Sequence, residues 1–295
     1  MTDKYTLAIL LGVILGTMAR FLMMRTDYRQ YPTYPHGQII HVALGIIAAA
    51  LGAVAVPAIL EKQYTAVTFL TLAAQQFRDV RNMEREMLTT LDQEEMVPRG
   101  GAYVEGIAMV FEGRNYLVIL TAFAASLCTV LLSWYVGVAA GVLCFGLNKI
   151  LKSGKSLGSI VNVEKTDIVI KGPGVYVGDI YIRNIGLSEA RKSILEYGMG
   201  FTLKPKGRTS RLSLANPGQR QAILHNLSSI LGAYLDTGEP SLIPMAKLDM
   251  RDGRLGLLFL SVDQDIERAE QVIRSVPLIE NSVRRPSKKR RRKGA

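Results

Sequence analysis

Residues 101–120 read GAYVEGIAMVFEGRNYLVIL, and three charged residues, Glu105, Glu112 and Arg114, lead without a turn signal into a stretch that carries no charge until Lys149. A bilayer core takes about 20 helical residues to cross. The simplest reading is one helix that starts in water and continues into lipid. The charge-free run from Asn115 to Asn148 is too long for a single crossing at a rise of about 1.5 Å per residue. It is therefore expected to turn at Ser133-Trp134-Tyr135, where Trp and Tyr suit the membrane interface.

Working outward, other apolar runs mark Thr6–Met24, Ile39–Ala58 and Tyr64–Ala74 as spans, beside Tyr116–Leu132 and Tyr135–Leu147. The third and fifth are short and must borrow from their flanks, through Gln75 and Gln76 or through Asn148 to Leu151. The opening MTDKY has no basic n-region, so the first span is expected to stay as an anchor. Arg25 and Arg29 follow span one, Arg78, Arg81 and Arg85 span three, and Lys149, Lys152 and Lys155 span five. The other side has only Lys4 and Lys62, so the positive-inside rule places the N-terminus outside and the C-terminal part in the cytosol. Cys128 and Cys144 fall within spans, as small apolar residues with no disulfide or metal role.

The formal charge is +11, of which Arg284, Arg285, Lys288, Lys289, Arg290, Arg291, Arg292 and Lys293 supply +8 and the rest only +3. The basic signal is therefore local to a tail, expected to be disordered and drawn to anionic lipid. The body offers no specific nucleic-acid surface.

After Leu151 the pattern changes to that of a soluble mixed α/β domain. Alternation predicts strands at Ser159–Val163, Asp167–Ile170, Val175–Arg183, Ile243–Leu248 and Leu255–Val262. Helical periodicity appears at Ser188–Tyr197 and Asp263–Arg274, and Asn216-Pro217 opens a further helix as N-cap and first residue. LKSGKSLG at 151–158 lacks the first P-loop glycine, since Lys149 holds that place, and KGPGVYVGD at 171–179 reads as a hairpin turn with Asp179 at a strand edge. His36, His41 and His225 have no second ligand at helical spacing, so neither metal nor cofactor is expected, and His41 and His225 read as structural.

The insert between spans three and four holds the candidate site. QQFRDVRNMEREMLTTLDQEEM places Phe77, Val80, Met83 or Met87, and Leu91 on one side, and Arg78, Arg81 and Arg85 on another. Pro98-Arg99-Gly100-Gly101 stops the helix, so the chain is expected to return as an antiparallel hairpin through YVEGIAMVFEGRNY into span four, with Arg85 about level with Glu112. The catalytic candidates are Glu105, Glu112 and Asp79. Arg78, Arg81, Arg85 and Glu84 form a binding or structural charge cluster. Glu105 and Glu112 lie about 10 Å apart along one helix, too far to share a proton.

The architecture expected is an α-helical membrane domain of about five spans with a cytosolic helical hairpin insert, followed by the soluble α/β domain. Its parts are residues 1–76 with spans one to three, the hairpin 77–114, the spans 115–151, the α/β domain 152–283 and the tail 284–295.

Tyr103-Val104-Glu105-Gly106-Ile107-Ala108 resembles the signature for which the YIEGIA family is named, with Val104 in place of Ile. The likeness extends through QQFRDVRNMERE, VPRG, FEGRNYLVIL and ANPGQRQAILHNL with AYLD. It implies a multi-pass membrane protein of spore-forming Firmicutes, associated with sporulation, in which Glu105 is the eponymous glutamate. Docking or presenting a protein partner at the cytosolic membrane face is the leading function. A membrane-linked protease using hairpin carboxylates is the second, and a transporter is disfavoured because Arg20 is nearly alone as a charge inside the spans. In a chain lacking Cys128 and Cys144, a cysteine placed at Ser153 is expected to escape an impermeant thiol reagent on intact cells and to react after lysis. Labelling without lysis overturns the orientation.

Overall fold

The computed structural model describes residues 2–27, 35–151, 155–236, 239–240 and 244–279. The basic tail from Arg284 to Lys293 and the side chains of Arg25, Arg29, Lys149 and Lys152 lie outside the described residues. The chain forms two compact units, residues 1–88 with 107–154, and residues 89–106 with 155–295.

The first unit is helical. Helices α1 (Thr2–Asp27), α2 (Pro35–Leu60) and α4 (Gly101–Leu131) are long and apolar enough to cross a membrane. Helix α5 (Trp134–Leu151) has a shorter apolar stretch, Trp134–Leu147, and α3 (Tyr64–Gln93) runs unbroken from an apolar first half into the charged insert. The break before Trp134 falls where the exposed Trp134 and Tyr135 meet edge-on.

Small residues bring these helices together. Ala19, Ala48, Ala49, Ala53 and Ala122 are fully or almost fully buried around Met23, Phe77 and Val118, while Leu10, Ile14, Phe21, Ile47 and Leu120 point outward. Packing of this kind suits a lipid solvent, in which close backbone approach replaces the hydrophobic drive between helices. Gly52 on α2 lies against the Ile119 carbonyl of α4, so a side chain there would strike main chain.

The second unit is built on a four-stranded antiparallel sheet of order β1 (Val161–Lys165), β5 (Gly198–Pro205), β9 (Leu255–Leu260), β8 (Met245–Leu248). Every residue of β9 is buried because both faces of this sheet are covered. On one face lies a second antiparallel sheet of β2 (Ile168–Lys171), β3 (Gly174–Val177) and β4 (Ile180–Asn184), with helix α6 (Ser188–Tyr197). Val175, Val177, Ile180, Ile182 and Ile194 meet Leu258 and Leu260 there. Helices α7 (Arg208–Ala215), α8 (Pro217–Leu231) and α9 (Ile266–Ser275) complete the unit, beside a two-residue ladder of β6 (Leu235–Asp236) and β7 (Glu239–Pro240).

Two sequence expectations change here. Val175–Arg183 is not one strand but two, because Gly178 adopts φ +60° and turns the chain. Asp179 in that turn accepts from both terminal guanidinium nitrogens of Arg254, Nη1 and Nη2, at 2.9 and 2.7 Å, which holds its carboxyl below the usual range and fastens the β3–β4 turn to the β8–β9 turn.

The unit closes on itself. The Leu157 N–H donates to the Val276 carbonyl at 2.8 Å and the Leu278 N–H to the Lys155 carbonyl at 3.0 Å. Gln219, fully buried, donates to the Pro277 carbonyl at 3.1 Å and accepts from the Ile279 N–H at 2.9 Å. Gly52→Val is expected to cost about 1–3 kcal/mol through overpacking. Gly113→Ala, at a helical position with nothing within 4 Å, should instead be neutral or gain up to about 1 kcal/mol. Thermal unfolding of the two variants in detergent makes the comparison.

Candidate functional site

Helices α3 and α4 form an antiparallel hairpin. Its base belongs to the helical unit and its tip, residues 89–106, to the α/β unit.

At the base, Arg81 Nη1 donates to Glu112 Oε2 at 2.9 Å. Glu84, on the same side of α3 as Phe77 and Leu88, is only 8% exposed, and its Oε1 lies 3.5 Å from Nε2 of His41 on α2. Arg20 of α1, 1% exposed, directs Nε to the His41 carbonyl at 3.4 Å and holds its guanidinium carbon 5.1 Å from the centroid of the Phe111 ring. That ring lies 4.8 Å from the imidazole. Each of α1, α2, α3 and α4 thus sends a group into one buried polar cluster, and Arg114 and Asn115 are buried on the same stretch of α4. Charges among apolar helices persist only when paired, and such groups usually mark functional ground.

At the tip, the Asp92 carboxylate accepts from the N–H groups of Arg99, at 2.6 Å, and Gly100, at 2.8 Å, just before α4 begins. It places negative charge where the new helix has unsatisfied donors. Gly100 has φ +83°, a conformation that favours glycine.

The tip lies on α8. Asn216 caps that helix by accepting from the N–H groups of Gly218, at 2.9 Å, and Gln219, at 3.4 Å. Along its face, Gln221 Nε2 donates to the Pro98 carbonyl at 2.6 Å, and His225 Nδ1 stands 2.7 Å from the Val97 carbonyl. A carbonyl only accepts, so Nδ1 carries the proton and Nε2 is left to accept from the Ser229 hydroxyl at 3.4 Å. Gly218 leaves room for the Ala102 and Tyr103 backbone, since a Cβ there would stand 2.9 Å from the Tyr103 nitrogen. Val97, Tyr103 and His225 are all buried, and burial lowers the His225 pKa from its usual 6.5.

The sequence model of the YIEGIA protein family matches residues 8–289. The chain belongs to the YIEGIA family. It is 51% identical over 285 residues to the uncharacterized protein YphB of Bacillus subtilis (strain 168), covering 97% of this chain and 96% of that one. No solved structure matches it. In the YIEGIA signature, Tyr103 is buried, Glu105 is half-buried, and both lie in the part of α4 that belongs to the α/β unit.

Among the predicted site residues, Arg81 and Glu112 are brought together, one helical turn from the expected Arg85–Glu112 level. Arg78, Asp79 and Arg85 lie at the surface of α3. Glu105 and Glu112 fall in different units. The inward stripe of α3 is Phe77, Glu84 and Leu88; of the apolar side formed by Phe77, Val80, Met83 or Met87, and Leu91, Met87 is part-buried while Met83 and Leu91 are exposed, because the helix turns a carboxylate inward to meet His41.

Sequence reasoning missed the roles of His41, Asp92 and Gln221. A signal existed for the first: Arg20 stands seven positions before Asp27 and His41 six after Pro35, so two antiparallel helices bring them level. Among the described residues the Asp92 and Gln221 side chains bond to main chain, which leaves no pattern in the sequence.

Because His225 is held neutral, its contribution to stability is present above about pH 6.5 and is lost as pH falls through the lowered folded-state value, where the unfolded chain binds the proton more readily. The unfolding temperature of the full chain in detergent should therefore fall between about pH 7 and about pH 5. His225→Gln, which can still donate to Val97, should flatten that fall. An equal fall in the variant overturns the assignment.

Proposed function

We propose that this YIEGIA-family protein is a multi-pass membrane protein that docks or presents other proteins at the cytosolic membrane face during sporulation. In this reading α1 to α5 are the membrane-associated helices, the N-terminus is outside, and the hairpin and α/β unit work in the cytosol. The clasp of Val97 and Pro98 by His225 and Gln221 carries it. A hairpin whose tip is fixed to a folded domain presents a preorganised surface, and a partner then need not supply the entropy of ordering it. The half-buried Glu105 supplies a polar contact on that unit. The sporulation setting comes from the resemblance to the family.

The geometry at the hairpin base suits this role better than proteolysis. Glu84 faces His41 and Glu112 faces Arg81, so each carboxylate is engaged by a nitrogen group of the protein itself. A general acid or base needs a free line to substrate.

Glu105→Gln, which keeps the shape of the side chain, is expected to leave membrane abundance at the wild-type level and to abolish sporulation. Exchanging Arg81 and Glu112 should instead restore most of the abundance lost when either is changed alone. Purified protein mixed with candidate spore proteins should give stable complexes without cleavage. Cleavage that disappears in Glu105→Gln would replace docking with proteolysis, and normal sporulation by that variant would remove Glu105 from the site.

A further inference from the structure

The three-stranded sheet of the α/β unit buries one face and leaves the other open. Tyr176, on the central strand β3, is in register with Val169 of β2 and Tyr181 of β4, and all three point outward. The tyrosine rings meet at 65° with centroids 5.4 Å apart. Lys171 Nζ lies 5.5 Å from the Tyr176 ring centroid, and Arg183 stands beside Tyr181 with Nη1 4.0 Å from Met245 Sδ. Val169 and Tyr181 are 36% and 41% exposed, and no carboxylate belongs to the outward residues of these strands.

We propose that this face rests on an anionic phospholipid surface, with the tyrosine rings at headgroup depth and Lys171 and Arg183 on lipid phosphates. Three observations converge. Tyrosine has an apolar body and a polar tip, which suits the boundary between headgroup and acyl chain. Among the described residues neither cation is ion-paired with a carboxylate, and the charge is complementary to an acidic leaflet. The sheet is also tied to the apolar helices: α5 ends at Leu151 and β2 begins at Ile168, 17 positions later, so the linking chain reaches at most about 60 Å. A tethered surface meets the bilayer at high effective concentration, so a weak contact suffices.

Single-stranded nucleic acid is the other ligand that aromatic and basic sheet faces attract, but it needs open ring faces for base stacking. Here Lys171 covers one face of Tyr176, and the two rings stand edge-on rather than as successive platforms.

The inference rests on the proposed membrane location and is independent of the docking role. The full chain, with Cys128 and Cys144 replaced and a fluorophore on Val169→Cys, is reconstituted in nanodiscs of phosphatidylcholine with or without phosphatidylglycerol, each containing headgroup-nitroxide lipid. Quenching should be several-fold stronger in the anionic discs, should fall to the neutral-disc level in Lys171→Glu/Arg183→Glu, and should persist in a chain ending at Val283, which lacks the basic tail. Equal quenching in both disc types overturns the proposal. So does saturable binding of a labelled single-stranded oligonucleotide that is lost in Tyr176→Ala. Trp134, the only tryptophan of the chain, separates the two levels. If brominated lipid quenches Trp134 and nitroxide fails to quench position 169, the membrane location stands and this face is free of it. If neither is quenched, both readings fall.

Discussion

Two main-chain carbonyls, those of Val97 and Pro98, end in hydrogen bonds from the side chains of His225 and Gln221. The hairpin tip has few other ways to be held. It comprises the last turn of one helix, a loop and the first turn of the next, and an isolated turn of helix leaves several backbone groups unsatisfied. Asp92 answers the donors of the returning helix, and α8 answers the acceptors of the loop. With both sets satisfied, the segment can be buried against a folded domain, and the buried Val97 and Tyr103 follow from that. Tyr103, which opens the signature stretch, and Gly218, at the start of α8, are thus two halves of one contact.

The hairpin base is governed by a different cost. Arg20, His41 and Glu84 are taken out of water among alanines and phenylalanine, which is tolerable only because each is matched. The cluster also ties the helices in register, since an axial slip of one turn, about 5.4 Å, would separate His41 from Glu84 and Arg81 from Glu112 together.

Much of this was legible in the sequence. Apolar run length marked the long helices, PRGG marked the hairpin turn, and Asn216-Pro217 marked the start of α8, because each of these is a local signal. The central strand β5 was not foreseen. GMGFTLKP has glycines at its first and third positions that weaken strand propensity, and they are there because the Ile194 carbonyl of α6 and the Thr166 carbonyl between β1 and β2 lie against them, with Ile168 of the neighbouring sheet. The buried face of α3 was misread for a related reason. Periodicity assumes that polar residues face water, and Glu84 does not, since its partner is on a helix more than forty residues away in sequence. The register of the hairpin was missed by one turn because the loop length between two helices cannot be counted from composition.

The Gln219 side chain of α8 holds Pro277 and Ile279 where the last described residues of the α/β unit meet its first. Leu278 is bonded to Lys155, and Lys155 is only four residues beyond the last residue of α5. The unit is thus shut like a ring at Lys155–Leu278 and Leu157–Val276, so that an opening at either end releases both, and the buried Gln219 with them.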